Sequence, residues 1–372
     1  MIGAPLPAGE SGSTRLLWNV YERLPLAMDD VLDSAHHRLT SLARRRLPLM
    51  RVRGTHPRTG AATSVIVTDS APSVDYFLEA LVGAEPRREP LDTVPVRNLV
   101  EALESHADHA SLLIARIDRR LGARHIPAGW VRLPESVDAW RPVPEEGLAG
   151  ETADRRQADN LRRIRKHGLT ARVSHDLADF DRFYHDMYVP FVLSRHGEMA
   201  YVRGYHRLRR YMRRGGIMWI LREGRPVAGE LFFIRDAVLH WVCGGTPGGA
   251  AEPLRQGAGS AHHVLGVPFA RQRNVRRFDL GDSRPSLTDG VLLHKLRWGA
   301  TIRPSTRARR DLVLRWPRVS DEIAWWLAES LPIAREGRDL VVLTARPPGA
   351  DHAPRPSHAP GIRRIETVGS GE

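Results

Sequence analysis

The chain of 372 residues contains one cysteine, Cys243, which excludes a disulfide framework and any cysteine-based zinc site. Cys243 stands in the apolar, strand-like run 239–245, where a thiol reads as a small core residue rather than a nucleophile. Histidine is plentiful but not spaced for metal. His36-His37 and His262-His263 are adjacent pairs, and no His-x-x-x-His with a nearby acid shares one helix, so no metal site is expected. A Gly-x-Ser-x-Gly nucleophile elbow is missing too. No window approaches about 18 uninterrupted apolar residues, which excludes a spanning helix. The opening "MIGAPLPAGESGSTR" has no basic start followed by an apolar stretch, so no signal peptide is read there. These absences point to a soluble, cytoplasmic protein without stable membrane insertion.

Present instead is charge of one sign. Lys and Arg number 56 against 43 Asp and Glu, a net +13 spread along the chain. Such a surplus suits phosphate-bearing partners (RNA, a nucleotide cofactor or an anionic lipid surface), although a genome that favours arginine codons would give the same balance. With 42% apolar residues the chain can bury a core, and its length suggests two domains.

Residues 1–13 are rich in Gly, Pro and Ser and read as a flexible N-terminus. A helix with early acids and late arginines is expected over 28–46. A hairpin follows, "LPLMRVRG" and "ATSVIVTD" flanking "THPRTG". Helices near 73–82 and 95–106 and strands "ASLLIARID" and "GWVRLP" complete a mixed α/β domain over 14–150, ending in the Pro/Gly/Glu-rich linker 140–151. The second domain, 151–346, opens on the basic helix "RRQADNLRRIRKHG". Helix 177–194 follows, its aromatic stripe of Phe180, Tyr184, Tyr188 and Phe191 reading as core. After a helix at 203–214, three strands run in series with turns at Glu223-Gly224 and Arg235-Asp236. A glycine-rich loop then enters helix 261–273, a strand ends at Gly281, and a polar turn leads to a short helix. Segments "LVLRWPR", "SDEIAWWLAESLPI" and "DLVVLTAR" are expected to close this domain. The Pro/Gly/Ser-rich tail 347–372 is expected to be disordered.

Antiparallel strands, glycine loop, helix, parallel strand, polar turn, short helix: this order resembles the GNAT acyltransferase fold. The resemblance implies an α/β (α+β) fold, a mixed sheet flanked by helices, with two tandem GNAT-like domains of which the first is degenerate. Gln256-Gly257-Ala258-Gly259-Ser260-Ala261 fits the family's cofactor loop, whose backbone N–H groups hold a pyrophosphate. Gln256, Gly257, Gly259 and Ser260 are thereby candidate cofactor contacts, set against a plain small-residue helix start. Over about 155–305 the chain is more specifically similar to the Fem-type branch, which transfers aminoacyl groups from tRNA to peptidoglycan precursors, and to allied acetyltransferases. The carrying blocks are "NLRRIRKHGL", "FYHDMYVPFVLSRHGE", "GRPVAGELFF" and "FDLGDSRPSLTDGVLLHKLRWGA". His294 departs from the family's Phe before the lysine, and no helical-hairpin arm is evident.

The resemblance gives Lys295 a role. Acyl transfer to an amine passes through a tetrahedral intermediate, and a lysine aimed at its oxyanion is worth roughly 3–4 kcal/mol; a surface lysine on an amphipathic helix is the plainer reading. An α-amine, with pKa of about 7.7–8.0, needs little help to lose a proton, whereas a lysyl-type amine near about 10.4 needs a base. Asp282, at the strand end, is placed first for that task, with His294 and Glu230 as rivals and Asp279 read as a structural cap. Arg195, His196 and Glu198 lie where the family builds part of its acceptor pocket, and Gly197 equally marks a helix stop. Ser283, Arg284 and Trp298 complete the expected substrate contacts. Arg162, Arg163, Arg165 and Lys166 form either a solvated face or a phosphate contact. No tightly bound cofactor is expected; the co-substrate is acyl-CoA or aminoacyl-tRNA. The acceptor is an amine-bearing small molecule or a peptide or cell-wall precursor, and tRNA is a candidate partner. From another class, a non-catalytic GNAT-fold scaffold stays open.

Overall fold

The computed structural model describes residues 12–26, 28, 31, 34–35, 46–68, 71–119, 126–145, 155–197, 200–354 and 359–369. Most of the helix expected at 28–46 lies outside them. The architecture is mixed α/β, with parallel and antiparallel pairs in the same sheets.

Along the chain come β1 (Arg46–Thr55), β2 (Ala62–Thr68), β3 (Arg87–Pro95), β4 (Leu112–Asp118) and β5 (Val131–Pro134). Then β6 (Val137–Pro142) leads into β7 (Thr170–Ser174), β8 (Gly215–Arg222), β9 (Arg225–Arg235), β10 (Val238–Gly245) and β11 (Arg277–Ser283). The remainder holds β12 (Thr301–Pro304), β13 (Arg310–Arg315), β14 (Ile333–Glu336), β15 (Asp339–Ala345) and β16 (Ile362–Val368). Two compact units result, and neither is continuous in sequence. One, called central for its place along the sequence, is Trp140–Gly281 with Arg297–Ala300 and the N-terminal helix Gly12–Arg23; the other, called flanking because its segments precede and follow in sequence, joins 46–139, Asp282–Leu296 and the chain from Thr301 onward.

That division corrects the expected boundary at 150. The flanking sheet has the order β3-β1-β2-β4-β13-β5, so β13, expected to close the second domain, is inserted between two strands of the first. Its middle, Leu312-Val313-Leu314, is buried on both sides. Val65, Val67, Leu112 and Ile114 pack one face against helices Pro72–Val82 and Asp321–Ser330, while Ile66, Leu113 and Ala115 pack the other against helix Leu99–Glu104 and Trp130. A two-faced sheet needs continuous apolar runs, and each buried aliphatic side chain contributes about 1.5–3 kcal/mol.

Two further expectations need correction. The linker at 140–151 begins inside β6. The tail at 347–372, expected to be disordered, contains β16, which pairs parallel with β15 from Leu340↔Ile362 to Ala345↔Val368. Ile362, Ile365 and Val368 recur every third residue among Arg363, Arg364, Glu366 and Thr367, not every second one, so the stretch carries no strand signature in sequence. Residues 1–11 lie outside the described set, and the helix starts at Gly12.

In the central unit β6, β11, β10, β9, β8 and β7 lie side by side in that order. Both hairpin turns between β8, β9 and β10 use left-handed residues: Glu223 and Gly224 at φ +52° and +77°, then Asp236 and Ala237 at +52° and +57°, one position later than expected, as primed turns require. Helices Leu177–Arg182 and Val189–His196 are joined by a π-helical turn, Phe183–Tyr188, which buries Phe183, Tyr184, Met187 and Tyr188. Glu22, fully buried, ties the N-terminal helix to helix Tyr205–Met212 through His206 (2.7 Å), Arg209 (3.2 Å) and Arg213 (3.0 Å).

Candidate functional site

The opening of the lysine helix is set by a residue the sequence did not single out. Asp289 Oδ1 accepts the Leu292 N–H at 2.8 Å and its carbonyl accepts that of Leu293, which makes it the N-cap of helix Gly290–Arg297. The turn before it is pinned: the Ile333 N–H donates to the Pro285 carbonyl at 2.8 Å, the Leu287 N–H to that of Leu331 at 3.1 Å, and the buried Ser286 hydroxyl to that of Ser330 at 2.5 Å. Held between these anchors, Lys295 folds back onto the end of β11. Its Nζ donates to the Asp282 carbonyl (2.8 Å) and the Ser283 hydroxyl (2.9 Å), and the residue is only 8% exposed. A solvated surface lysine is therefore excluded. The Asp282 side chain is exposed, Ser283 is buried and His294 is half-buried. Arg284 is engaged within the same unit, stacked 4.8 Å over Tyr76 and 3.7 Å from Asp289.

The glycine loop belongs to the central unit. Gly257, at φ +97°, is the N-cap of helix Ala258–Gln272. A Cβ there would meet Arg163 Cβ at 3.2 Å and Ile164 Cγ1 at 3.3 Å; one at Gly259 would meet Leu254 Cδ2 at 2.8 Å. Both glycines thus face protein: one admits the basic helix Arg155–Lys166, the other a leucine. Ser260 is buried. Gln256 is occupied by its own unit, donating to Glu252 at 2.6 Å and accepting from Arg222. On the basic helix Ile164 is buried while Arg162, Arg163, Arg165 and Lys166 are exposed, a cationic face with Arg162 3.1 Å from Asp159.

Other expected residues are scattered. Arg195 is exposed and lies 5.5 Å over Phe191, beside the helix stop at Gly197 (φ +52°). Glu198 and the His196 side chain lie outside the described residues. Trp298 is 2% exposed, stacked on His263 at 4.9 Å, and its carbonyl accepts from the buried Arg141. Burial pulls the Arg141 guanidinium down to about 10. Glu230 lies under Gly244, where any Cβ would run into its carboxylate. Burial pushes the Cys243 thiol up, opposed by Arg203 and reinforced by Glu230, so this cysteine is no thiolate nucleophile.

What the sequence pattern did not show is how β10 and β11 meet. Their parallel pairing covers only Val238↔Arg277, Leu239↔Phe278 and His240↔Asp279, although β10 runs on to Gly245 and β11 to Ser283. The two strands part after His240 and Asp279. In the diverging stretch β10 is also bulged against β9, between Trp241 and Cys243, and the Val242 carbonyl accepts from Arg203 at 2.8 Å. The pair at the parting point, His240 and Asp279, are 39 residues apart, a separation without any local signature. Among the described residues no group of three or more His, Cys, Asp or Glu is arranged to hold a metal ion, and no helix is long and apolar enough to cross a membrane.

With this geometry in view, the chain can be set beside solved structures. It is similar to L-PGS from Bacillus licheniformis (13% identity, TM-score 0.36, covering 68% of this chain and 77% of that one). FemX is similar at 12% identity and TM-score 0.38, covering 71% and 88%, as is a GCN5-related N-acetyltransferase from Sphaerobacter thermophilus at 14% and 0.30, covering 69% and 73%. No family model and no curated protein matches the chain.

Proposed function

We propose that this protein is an acyltransferase that moves an acyl or aminoacyl group from an activated donor to an amine. The observation that carries the reading is the parting of β10 and β11 after three paired residues. Two neighbouring strands that stop pairing leave backbone N–H and C=O groups facing a gap, and a linear acyl chain with its amide or ester groups is the kind of ligand such a gap can satisfy. The flanking unit supplies a second element of the reading by itself: a buried ammonium, Lys295, held by the Asp282 carbonyl and the Ser283 hydroxyl. A preorganised cation in a low-dielectric setting is what a developing oxyanion needs. Asp282, Ser283 and Arg284 beside it are proposed acceptor contacts.

Between the two donors, the packing favours aminoacyl-tRNA over acyl-CoA. Two of the loop's backbone donors that the CoA reading needs are already taken, the Gly257 N–H by the Leu254 carbonyl (3.0 Å) and the Ser260 N–H by that of Gly257 (3.1 Å), while four cations of the basic helix are exposed. Replacing Arg162, Arg163, Arg165 and Lys166 with Gln should flatten the salt dependence of tRNA binding, by about 0.7–0.9 in the log–log slope for every phosphate that is no longer neutralised. Fluorescence anisotropy with labelled tRNA between low and moderate salt measures it. An unchanged slope removes the helix from the donor site; saturable acetyl-CoA binding by calorimetry would restore the other donor.

A further inference from the structure

We infer that His240, oriented by Asp279, is the base that accepts the acceptor's proton, a task the sequence alone assigned first to Asp282; the inference rests on the acyl-transfer reading above. His240 and Asp279 are the last paired residues before the strands part, so they occupy the apex of the gap. His240 Nδ1 lies 2.7 Å from Asp279 Oδ2. The other carboxylate oxygen, Oδ1, accepts the Gly281 N–H at 2.8 Å, which fixes the carboxylate plane by the backbone of the next turn. A carboxylate can only accept here, so Nδ1 carries a ring proton, and in the neutral form of the ring the lone pair is at Nε2. Nε2 makes no hydrogen bond among the described residues. The ring cannot swing away: it stacks on Phe233 (centroids 4.4 Å apart, planes within 8°), and Phe233 stacks on Tyr211 at 4.9 Å. The side chain keeps 15% of its surface accessible. Base, orienting carboxylate, locked rotamer and a reachable lone pair are all present, which is the arrangement that general-base catalysis demands.

The step balances. The acceptor nitrogen's lone pair attacks the donor's carbonyl carbon, forming the C–N bond. Nε2 takes a proton from that nitrogen. As the tetrahedral intermediate collapses, the carbon–oxygen or carbon–sulfur bond to the carrier breaks, and the proton held on Nε2 passes to the departing oxygen or sulfur. Asp279 touches no reacting atom and is a positioning residue.

Rapid-quench single turnover tests this with purified full chain, offering acetyl-CoA and a mixed aminoacyl-tRNA pool as donors and free amino acids and a lysine-containing peptide as acceptors. His240→Gln is expected to slow product formation by about 10²–10⁴-fold with the acceptor KM little changed. In His240→Ala, which leaves the ring's place vacant beside Phe233, added imidazole should restore part of the rate. Asp279→Asn retains an oxygen for the Gly281 N–H but turns an N–H towards Nδ1, which forces the proton onto Nε2. It should slow the reaction without lowering thermal stability, so the proposal stays testable if the His240 variants fold poorly. Turnover within about threefold of wild type in Asp279→Asn or His240→Gln overturns the base while leaving acyl transfer standing. Absence of product from wild type with every donor overturns the acyl-transfer reading, and the base with it.

Discussion

Gly257 shows how one residue's position limits what a motif can mean. In the glycine loop 256–261 the space that a side chain on Gly257 would fill already belongs to Arg163 and Ile164. At φ +97° the residue is also in the region that only glycine enters without strain. Gly257→Ala should therefore destabilise the central unit by about 1–3 kcal/mol, from strain plus a contact at 3.2 Å that neither backbone can relieve easily. Urea unfolding followed by tryptophan fluorescence measures it, and a change below about 0.5 kcal/mol would show that the two helices are free to separate. Lys295 teaches the opposite lesson. Sequence alone placed it on an amphipathic helix and favoured a surface lysine, and only the family resemblance turned the reading towards catalysis; burial and two directed hydrogen bonds make the surface reading untenable.

At the scale of elements, the hairpin β1–β2 was legible because its two apolar runs flank a turn of Pro, Gly and Thr. Less legible was the histidine that organises that turn. His56 is buried, and its Nδ1 accepts from the backbone N–H groups of Arg58 (3.3 Å) and Thr59 (3.2 Å), so only a ring with Nδ1 unprotonated fits. Burial lowers its pKa below the ordinary value, against the opposing pull of Glu322 and Glu329. A base whose folded-state pKa is depressed binds its proton more readily unfolded. Its contribution to stability is then complete above the unfolded pKa of about 6.5 and disappears as pH falls through the folded value. Thermal melts from about pH 7.5 down to about 5 should show stability declining on the acid side of about 6.5, and His56→Asn should flatten that decline. An equal slope in the variant would assign it to other groups. The strand pair β10–β11 marks the limit of reading by element: periodicity identified both strands, but where two parallel strands stop pairing is decided by long-range twist and by the helix between them. The same limit hid β13, whose apolar run reads as a buried strand but does not say of which sheet.

For the whole molecule, the sequence conveyed fold class and much of the second sheet, because turn residues and alternation are local. It misplaced the division into units, because a chain that leaves one sheet at β6 and re-enters it at β13 looks continuous residue by residue. The candidate functional residues of the two units were half legible. Lys295 and the turn at 282–284 lie within one run, while His240 and Asp279 come together only through the sheet. The central proposal is that this chain makes an amide from an activated acyl group with Lys295 holding the oxyanion. The most direct measurement is single-turnover acyl transfer by wild type and Lys295→Met side by side, with donor affinity measured on the same preparations. The expected result is a chemical step slower by about 10²–10³-fold and an unchanged donor Kd, because the interaction strengthens only as charge develops. Equal rates in the two proteins, or a weakened donor Kd that accounts for the whole effect, would contradict it.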